Sequence, residues 1–203
     1  MNFAGKIQCV PVSPRGRLGV SPFFVTTPLP SLRTRTIALV GLMGVGKSSV
    51  GRRLAAALDL PFKDADTEIE AAAGRTIPEI FQAFGEAEFR DGERRVIARL
   101  LDEGPMVLAT GGGAFMNDQT RTLIREKALS VWLKADVEIL ARRVGRKDNR
   151  PLVQGKDPLA VLTALAEVRY PVYAQADITV ELGETPHQES VAAILRALEA
   201  HAA

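Results

Sequence analysis

The sequence predicts an α/β protein, a three-layer α/β/α domain around a central five-stranded parallel sheet. From Thr36 onward, short apolar runs alternate with segments of helical periodicity. This alternation is typical of a parallel sheet whose connecting helices cover both faces. In addition, a glycine-rich turn follows the first apolar run and opens a helical segment. With 203 residues, the chain is long enough for one domain with a full hydrophobic core.

The first 35 residues differ in composition from the rest of the chain. They contain five prolines, five lysines or arginines and no acidic residue. The scattered prolines argue against a packed element. We therefore expect residues 1–35 to be a flexible extension or a mis-assigned start, and residues 36–203 to be one folded domain. A targeting peptide is the alternative, although no clean apolar stretch with a cleavage site follows the charges.

Five short apolar runs are the strand candidates. Each is bounded by polar residues or by glycine and proline, as expected for strands buried in a parallel sheet. They are Thr36–Val40, Phe62–Ala65, Met106–Ala109, Ser130–Leu133 and Ile178–Glu181.

Eight segments have helical periodicity. Thr76 and Glu79 have the spacing of a capping box, which predicts a helix start at Ile77. The stretch "RVGRKDNRPLVQGKD", residues 143–157, has no clear period and is predicted to be a long loop, either functional or disordered. The predicted helices are Lys47–Leu58, Thr67–Ala73, Ile77–Phe84, Glu86–Leu101, Asp118–Glu126, Val137–Arg143, Pro158–Tyr173 and Gln188–His201.

The composition excludes several classes of function. The formal net charge is only +2 and the basic residues form no stripe, which argues against a nucleic-acid partner. No apolar run approaches the roughly 18 residues of a membrane span. The single cysteine, Cys9, excludes an intramolecular disulfide and multi-cysteine zinc sites. We therefore expect a soluble, cytoplasmic protein without a membrane or nucleic-acid partner.

The stretch "GLMGVGKS", residues 41–48, matches the phosphate-binding pattern G-x-x-x-x-G-K-[S/T] in full. A predicted strand precedes it and a predicted helix follows, which is the context that the motif requires and a chance glycine-rich turn would lack. Lys47 is expected on the β- and γ-phosphates of a nucleotide, and Ser48 on its magnesium ion. The predicted phosphate-binding residues are Gly44, Val45, Gly46, Lys47, Ser48 and Ser49.

Asp64 and Asp66 stand at the end of the second predicted strand. On an extended chain, their i, i+2 spacing would place both carboxylates on one face of the sheet. One could then serve a metal and the other a substrate hydroxyl. The alternative is a solvated helix N-terminus, where acidic residues are also favourable.

Three glycines, Gly111, Gly112 and Gly113, end the third predicted strand, where many phosphate-binding α/β proteins have a metal-binding carboxylate. Either the backbone takes angles that only glycine tolerates, or another group approaches it closely. The residues alone do not decide between these two explanations.

Six blocks occur in the order and approximate spacing of one known family. They are "GLMGVGKSSVGRRLA", "DADTEIE", "FGEAEFRDGE", "TGGGAF", "NRPL" and "RYPVYAQAD". Over residues 36–200 the chain thus resembles shikimate kinase, which uses ATP to phosphorylate the 3-hydroxyl of shikimate in aromatic amino acid biosynthesis. The resemblance implies a P-loop kinase fold with a mobile lid.

The resemblance also implies roles for individual residues. Asp64 and Ser48 would lie near Mg²⁺, and Asp66 would contact the shikimate hydroxyls and orient the reacting one. Lys47 and Arg150 would stabilise the transferred phosphoryl group. The glycine triplet, Gly111–Gly113, would lie beneath the bound substrate, with Gly111 or Gly113 forming the turn and Gly112 contacting the substrate.

Two arginines match the positions that anchor the substrate carboxylate in that family, Arg90 and Arg169. A planar guanidinium suits a carboxylate because it can donate two parallel hydrogen bonds. Glu93 is expected to orient Arg90, and Phe81 and Phe89 would line the apolar face of the ring. Without the resemblance, a surface ion pair or a packed arginine stem would be the preferred interpretation of both arginines.

The irregular stretch 143–157 matches the lid, with Arg150 over the phosphates and Arg143 against the adenine. The segment near Glu184 and Thr185 lacks the arginine that some relatives place on the adenine, so no adenine ligand is assigned there. We expect a monomer whose partners are ATP and shikimate. The rival functions are a gluconate or nucleoside monophosphate kinase and, from another class, a non-catalytic nucleotide-binding module.

Overall fold

The computed structural model describes residues 30–145 and 157–202. Its five strands form one fully parallel sheet in the order β2-β3-β1-β4-β5. The strands are β1 (Thr36–Val40), β2 (Phe62–Asp64), β3 (Val107–Ala109), β4 (Ala128–Lys134) and β5 (Ile178–Glu181). The predicted fold class is therefore confirmed.

Seven α-helices connect and cover these strands in the described part of the chain. They are α1 (Lys47–Leu58), α2 (Ala65–Ala73), α3 (Ile77–Asp102), α4 (Asp118–Lys127), α5 (Val137–Val144), α6 (Pro158–Tyr173) and α7 (His187–Ala202). Short 3-10 helices span Pro30–Arg33 and Ala114–Met116. No helix among the described residues is both long and apolar enough to cross a membrane.

Helix α3 joins two segments that the sequence predicts as separate helices. It begins with the expected capping box, in which Thr76 and Glu79 pair reciprocally. At Gly85 the backbone is not helical, with φ 79° and ψ 178°. A Cβ atom there would meet nothing within 4 Å, so it is the positive φ that requires glycine. The two predicted helices are thus one element with a break at the predicted position.

The hydrophobic core surrounds β1, whose five residues are all buried. Leu32, only 5% exposed, belongs to this core, so the packed part of the chain begins before Thr36. A smaller, separate cluster lies between α2 and α3 and consists of Ile69, Ile80 and Phe89, with Ile77, Phe81 and Val96 packed against it.

The register of the sheet brings three strand ends together. Ala109 at the end of β3 pairs with Asp64 of β2 on one side and with Leu39 of β1 on the other. The segments that follow these strands therefore meet at the carboxyl edge of the sheet, where ligands bind in open α/β folds.

Candidate active site

The predicted phosphate-binding loop, residues 41–48, connects β1 to α1. Gly44 and Gly46 have φ values of +85° and +96°, which side-chain-bearing residues rarely adopt. Gly46 is the N-cap of α1 and offers no side-chain acceptor to the first N–H groups of the helix. Since these N–H groups lie at the positive end of the helix dipole, the loop is suited to an anionic ligand. Within it Val45 is buried, and Ser49 is exposed in the first turn of α1.

Lys47 folds back over this loop. Its Nζ donates hydrogen bonds of 2.8 and 3.1 Å to the carbonyl oxygens of Gly41 and Leu42. The ammonium group is thereby held beside the loop that is suited to phosphate.

Ser48 and Asp64 lie side by side. The Ser48 hydroxyl donates a 2.5 Å hydrogen bond to Asp64 Oδ2. Asp64 Oδ1 accepts a bond of 3.1 Å from the Asp66 backbone N–H, so Asp64 is also the N-cap of α2.

The predicted geometry of the two aspartates is wrong. The strand ends at Asp64 and Ala65 already begins α2, so Asp66 lies in the first turn of a helix rather than on an extended chain. The reason is the cap itself, because the Asp64 carboxylate satisfies an N–H group that would otherwise lack a partner and so favours a helix start there. Both interpretations of the sequence therefore apply in part. The aspartates begin a helix, and they also lie at the edge of the candidate site.

Asp66 has a raised pKa. Desolvation by the surrounding protein is the largest cause, although water still reaches this exposed side chain, and repulsion by Asp64 is the second. The positive charge of Lys47 partly opposes both. Perturbed carboxylates of this kind are typical of groups that bind or move protons.

The glycine triplet meets four side chains of the candidate site. A Cβ atom on Gly111 would lie 2.7 Å from Glu93 Oε1 and 2.8 Å from Asp66 Oδ1. A Cβ atom on Gly113 would lie 2.6 Å from both terminal nitrogens of Arg90. On Gly112 it would lie 3.3 Å from Arg169 Nη1 and 3.9 Å from the backbone nitrogen of Met43.

These contacts correct the expected division of roles within the triplet. None of its three glycines has a positive φ. The turn therefore does not require glycine at Gly111 or Gly113, and close approach is the physical reason at all three positions. The tightest contacts with side chains of the protein are at Gly111 and Gly113, whereas contact of Gly112 with a substrate stays a prediction.

Arg90 and Glu93 form a partly buried ion pair in α3. Arg90 Nη1 lies 2.8 Å from Glu93 Oε2, and the Glu93 side chain is only 2% exposed. Burial raises the pKa of Glu93, while Arg90 opposes this rise. Glu93 Oε1 has no hydrogen-bond partner among the described residues and faces Gly111. The ion pair that was expected to orient Arg90 is present.

Arg169 approaches the triplet from α6. Its Nη1 donates a 3.0 Å hydrogen bond to the Gly112 carbonyl. Among the described residues it has no ion-pair partner within 4.0 Å. Arg90 and Arg169 therefore come from different helices to adjacent glycines, and Arg169 retains guanidinium N–H groups for a ligand.

Arg143 lies at the other side of the phosphate-binding loop. Its Nη2 donates a 3.0 Å hydrogen bond to the Gly183 carbonyl, so α5 is tied to the segment after β5. A Cβ atom on Gly44 would lie 2.8 Å from Val144 Cγ2, so the end of α5 closely adjoins the loop. Arg150 and most of the predicted lid, residues 146–156, lie outside the described residues.

Comparison with known proteins identifies the family. The family model "Shikimate kinase" matches residues 43–199. A shikimate kinase of Caulobacter vibrioides (strain NA1000 / CB15N) is 72% identical over 179 residues, 88% of this chain and 90% of that protein. The chain belongs to the shikimate kinase family. The structure of a shikimate kinase from Acinetobacter baumannii in complex with shikimate matches with a TM-score of 0.78 and 38% identity, over 87% of this chain and 96% of that one.

A gluconokinase from Sinorhizobium meliloti 1021 has the same fold. It matches with a TM-score of 0.59 but only 21% identity, over 83% of this chain and 93% of that one. At this identity the similarity concerns the fold alone and does not extend the shikimate kinase assignment to gluconate.

A kinase of the shikimate kinase family works with a divalent metal bound to ATP. The residues present fit such an ion, because the Ser48 hydroxyl and the Asp64 carboxylate are hard oxygen ligands beside the phosphate-binding loop. They would supply one or two of its ligands, and phosphate and water oxygens the rest. Among the described residues, no cluster of three or more His, Cys, Asp or Glu side chains forms a separate metal site.

One residue at the centre of this shikimate kinase site is not predicted from any motif. The Tyr173 hydroxyl donates a hydrogen bond to the same Gly112 carbonyl that Arg169 contacts. In the sequence, the alternation of tyrosines with apolar residues in α6 indicates only a buried helix face. The four-residue spacing from Arg169 is the one available signal, since residues at i and i+4 share a helix face.

Proposed function

We propose that this chain transfers the γ-phosphoryl group of ATP to the 3-hydroxyl of shikimate, giving shikimate 3-phosphate and ADP. Family membership supports the reaction, and the related protein from Acinetobacter baumannii was solved with shikimate. The observation that carries the proposal in this chain is the convergence of Asp66, Arg90 and Arg169 on one glycine triplet beside the phosphate-binding loop.

The acceptor is proposed to bind over the triplet. Arg90 and Arg169 would bind its carboxylate, since a guanidinium matches a carboxylate in charge and shape. The N–H of Gly112 would meet a substrate oxygen. Glu93 holds Arg90 in place, so less side-chain freedom is lost when the substrate binds.

Asp66 is proposed to act on the hydroxyl that reacts. It accepts the hydroxyl proton as the oxygen forms its bond to the γ-phosphorus, and the bond from that phosphorus to the bridging β-γ oxygen breaks. The electron pair of the broken bond stays on ADP. The raised pKa of Asp66 makes its ionised carboxylate a stronger proton acceptor than that of an ordinary aspartate.

Lys47 and the phosphate-binding loop are proposed to hold the phosphates of ATP. Lys47 would leave the carbonyl oxygens of Gly41 and Leu42 for the β- and γ-phosphates. Arg143 is proposed to contact the adenine and Arg150 the transferred group. We propose Mg²⁺ as the metal, held by Ser48 and Asp64, where it would neutralise charge on the phosphates.

An ADP-release assay on the purified chain tests the proposal. We expect activity with shikimate and none with gluconate or nucleoside monophosphates, and ³¹P NMR should identify the product as a 3-phosphate ester. Lys47→Ala is the control that assigns the activity to this phosphate-binding loop. Equal activity with gluconate, or ADP release that needs no acceptor, would refute the assignment. We further propose a cytoplasmic monomer, which cell fractionation and light scattering can examine. Its kinase domain would comprise residues 36–203 together with the preceding 3-10 helix that places Leu32 in the core.

A further inference from the structure

The Gly112 carbonyl receives two side-chain donors from the same helix. Arg169 Nη1 donates to it over 3.0 Å, and the Tyr173 hydroxyl donates to it as well. The two side chains are four residues apart in α6, so they lie on one face of the helix. Their environments differ, because Tyr173 is fully buried whereas Arg169 is only partly buried.

A carbonyl oxygen has two lone pairs and can accept both hydrogen bonds. The two donors are nevertheless not equivalent. Under the proposed function Arg169 also binds the substrate carboxylate, and a shift of its guanidinium toward that carboxylate would lengthen its bond to Gly112. Tyr173 is held in the core, where its hydroxyl donates to Gly112 and also interacts with the Arg169 side chain. If Arg169 were the only donor, substrate binding would leave a carbonyl in the site without its partner.

We propose that Tyr173 is a positioning residue for the acceptor, whose hydroxyl holds the Gly112 carbonyl while Arg169 turns to the substrate carboxylate. This inference rests on the proposed function of the site. Because the peptide unit is planar, fixing this carbonyl also fixes the direction of the neighbouring Gly113 N–H. The triplet therefore keeps its shape whether or not the substrate is present.

The surroundings of Tyr173 agree with this role. Burial raises the pKa of its phenol, so the group remains an O–H donor at neutral pH. Arg169 and Arg90 partly oppose this rise in pKa, which agrees with the position of the hydroxyl at the Gly112 carbonyl.

Tyr170 provides a matched control within the same helix. Its hydroxyl donates a 2.8 Å hydrogen bond to the Ala135 carbonyl, which follows β4 and is not part of the triplet. Both tyrosines pack in one aromatic cluster with Trp132. Replacing either by phenylalanine removes one oxygen and one hydrogen bond to a backbone carbonyl, although Tyr170 is less buried than Tyr173.

The experiment compares Y173F and Y170F in steady-state kinetics with both substrates. We expect Y173F to raise the KM for shikimate about tenfold, the order expected for an unpaired carbonyl, and to change the KM for ATP by less than about twofold. Y170F should leave both KM values within about twofold. Thermal unfolding of both variants measures the structural cost separately. An unchanged shikimate KM in Y173F, or an equal rise in Y170F, overturns the inference.

A double-mutant cycle keeps the test decisive if Y173F loses stability. Arg169→Lys is combined with Y173F and, separately, with Y170F. We expect the effects of Y173F and Arg169→Lys on the shikimate KM to be strongly non-additive, because both act on one carbonyl, whereas Y170F should combine additively. Additivity in both cycles overturns the inference. Wild-type protein without shikimate-dependent ADP release would instead refute the proposed function, so the two failures are distinguishable.

Discussion

Ser48 and Asp64 join two separate elements through one hydrogen bond. The Ser48 hydroxyl in the first turn of α1 lies 2.5 Å from Asp64 Oδ2 at the end of β2. The two oxygens are thus already together where a phosphate-bound cation would need them. Metal binding would take the place of this hydrogen bond, and Ser48 would bind as a neutral hydroxyl that keeps its proton.

Replacing Asp66 or Asp64 by asparagine should give different phenotypes. We expect Asp66→Asn to lower kcat by about 10²–10⁴, the usual range for loss of a general base, with little change in the KM for ATP. Asp64→Asn should raise the magnesium concentration needed for half-maximal rate, because it removes a charged metal ligand. The measurement is kcat against magnesium concentration for both variants. Rescue of Asp66→Asn, but not Asp64→Asn, by added magnesium would reverse the two assignments.

Arg169→Leu should weaken shikimate binding far more than ATP binding. An unpaired carboxylate in the site costs about 2–5 kcal/mol, or roughly 30- to 4,000-fold in affinity. Calorimetric titration with each ligand measures both affinities directly. Arg125→Leu is a suitable control, because Arg125 is exposed and contacts Gln175 away from the triplet. Equal losses for shikimate and ATP would remove Arg169 from the acceptor site.

Alanine at Gly113 should damage acceptor binding through Arg90. The added Cβ would lie 2.6 Å from the Arg90 guanidinium, which must then move. We expect the shikimate KM to rise at least about tenfold while the protein stays folded, since the displaced group is the end of a flexible side chain. Gly92→Ala is the matched control in α3, because its Cβ would meet nothing within 4 Å. This control should be neutral or stabilise the fold by up to about 1 kcal/mol.

The pH dependence of the rate should report Asp66. Only the ionised carboxylate can accept the hydroxyl proton, so the rate should fall as the pH drops through its pKa and stay constant above it. Because that pKa is raised, the acidic limb should lie above the ordinary aspartate value of 3.8. Removing the Asp64 charge in Asp64→Asn should shift the limb to lower pH, measured as kcat/KM at saturating magnesium. A limb that does not move would argue against electrostatic coupling of the two aspartates.

Deletion of residues 1–29 should leave activity and stability nearly unchanged, because no motif lies there. Leu32→Ala provides the contrast. It removes a side chain that is 5% exposed within the main core, and should cost about 2–5 kcal/mol of unfolding free energy. Thermal unfolding and ADP release of both variants check this. A loss of activity beyond about tenfold in the truncated chain would assign residues 1–29 to the domain.

The sheet and the phosphate-binding loop could be predicted because their signals are local. The residues that form each signal, whether an apolar run, the phosphate-binding motif or the capping box, are close together in the sequence. The boundary between α4 and β4 is harder to predict from the sequence, because the helix ends at Lys127 and the strand begins at Ala128 without a turn residue between them. The prediction therefore started β4 two residues late.

The candidate site depends on contacts that no local pattern contains. The sequence shows that the glycine triplet is unusual. The reason for each glycine, however, is the close approach of a side chain from α2, α3 or α6. Similarly, the i, i+2 spacing of Asp64 and Asp66 predicts different side-chain directions in a strand and at a helix start. The cap formed by Asp64 favours the helix start. The tyrosine hydroxyl on Gly112 has no sequence signal beyond its spacing from Arg169.

The separate cluster between α2 and α3 has a consequence for local unfolding. Ile69, Ile80 and Phe89 pack with one another rather than with the residues around β1. Val96 packs against both this cluster and the main core. We expect the region to open locally more readily than the sheet, so its amide hydrogens should exchange with solvent faster than those of β1. Asp66 and Arg90 lie at its two ends, so a bound acceptor would tie the ends together. Shikimate should then slow exchange in α2 and in the first half of α3, which makes local protection a readout of acceptor binding that requires no turnover.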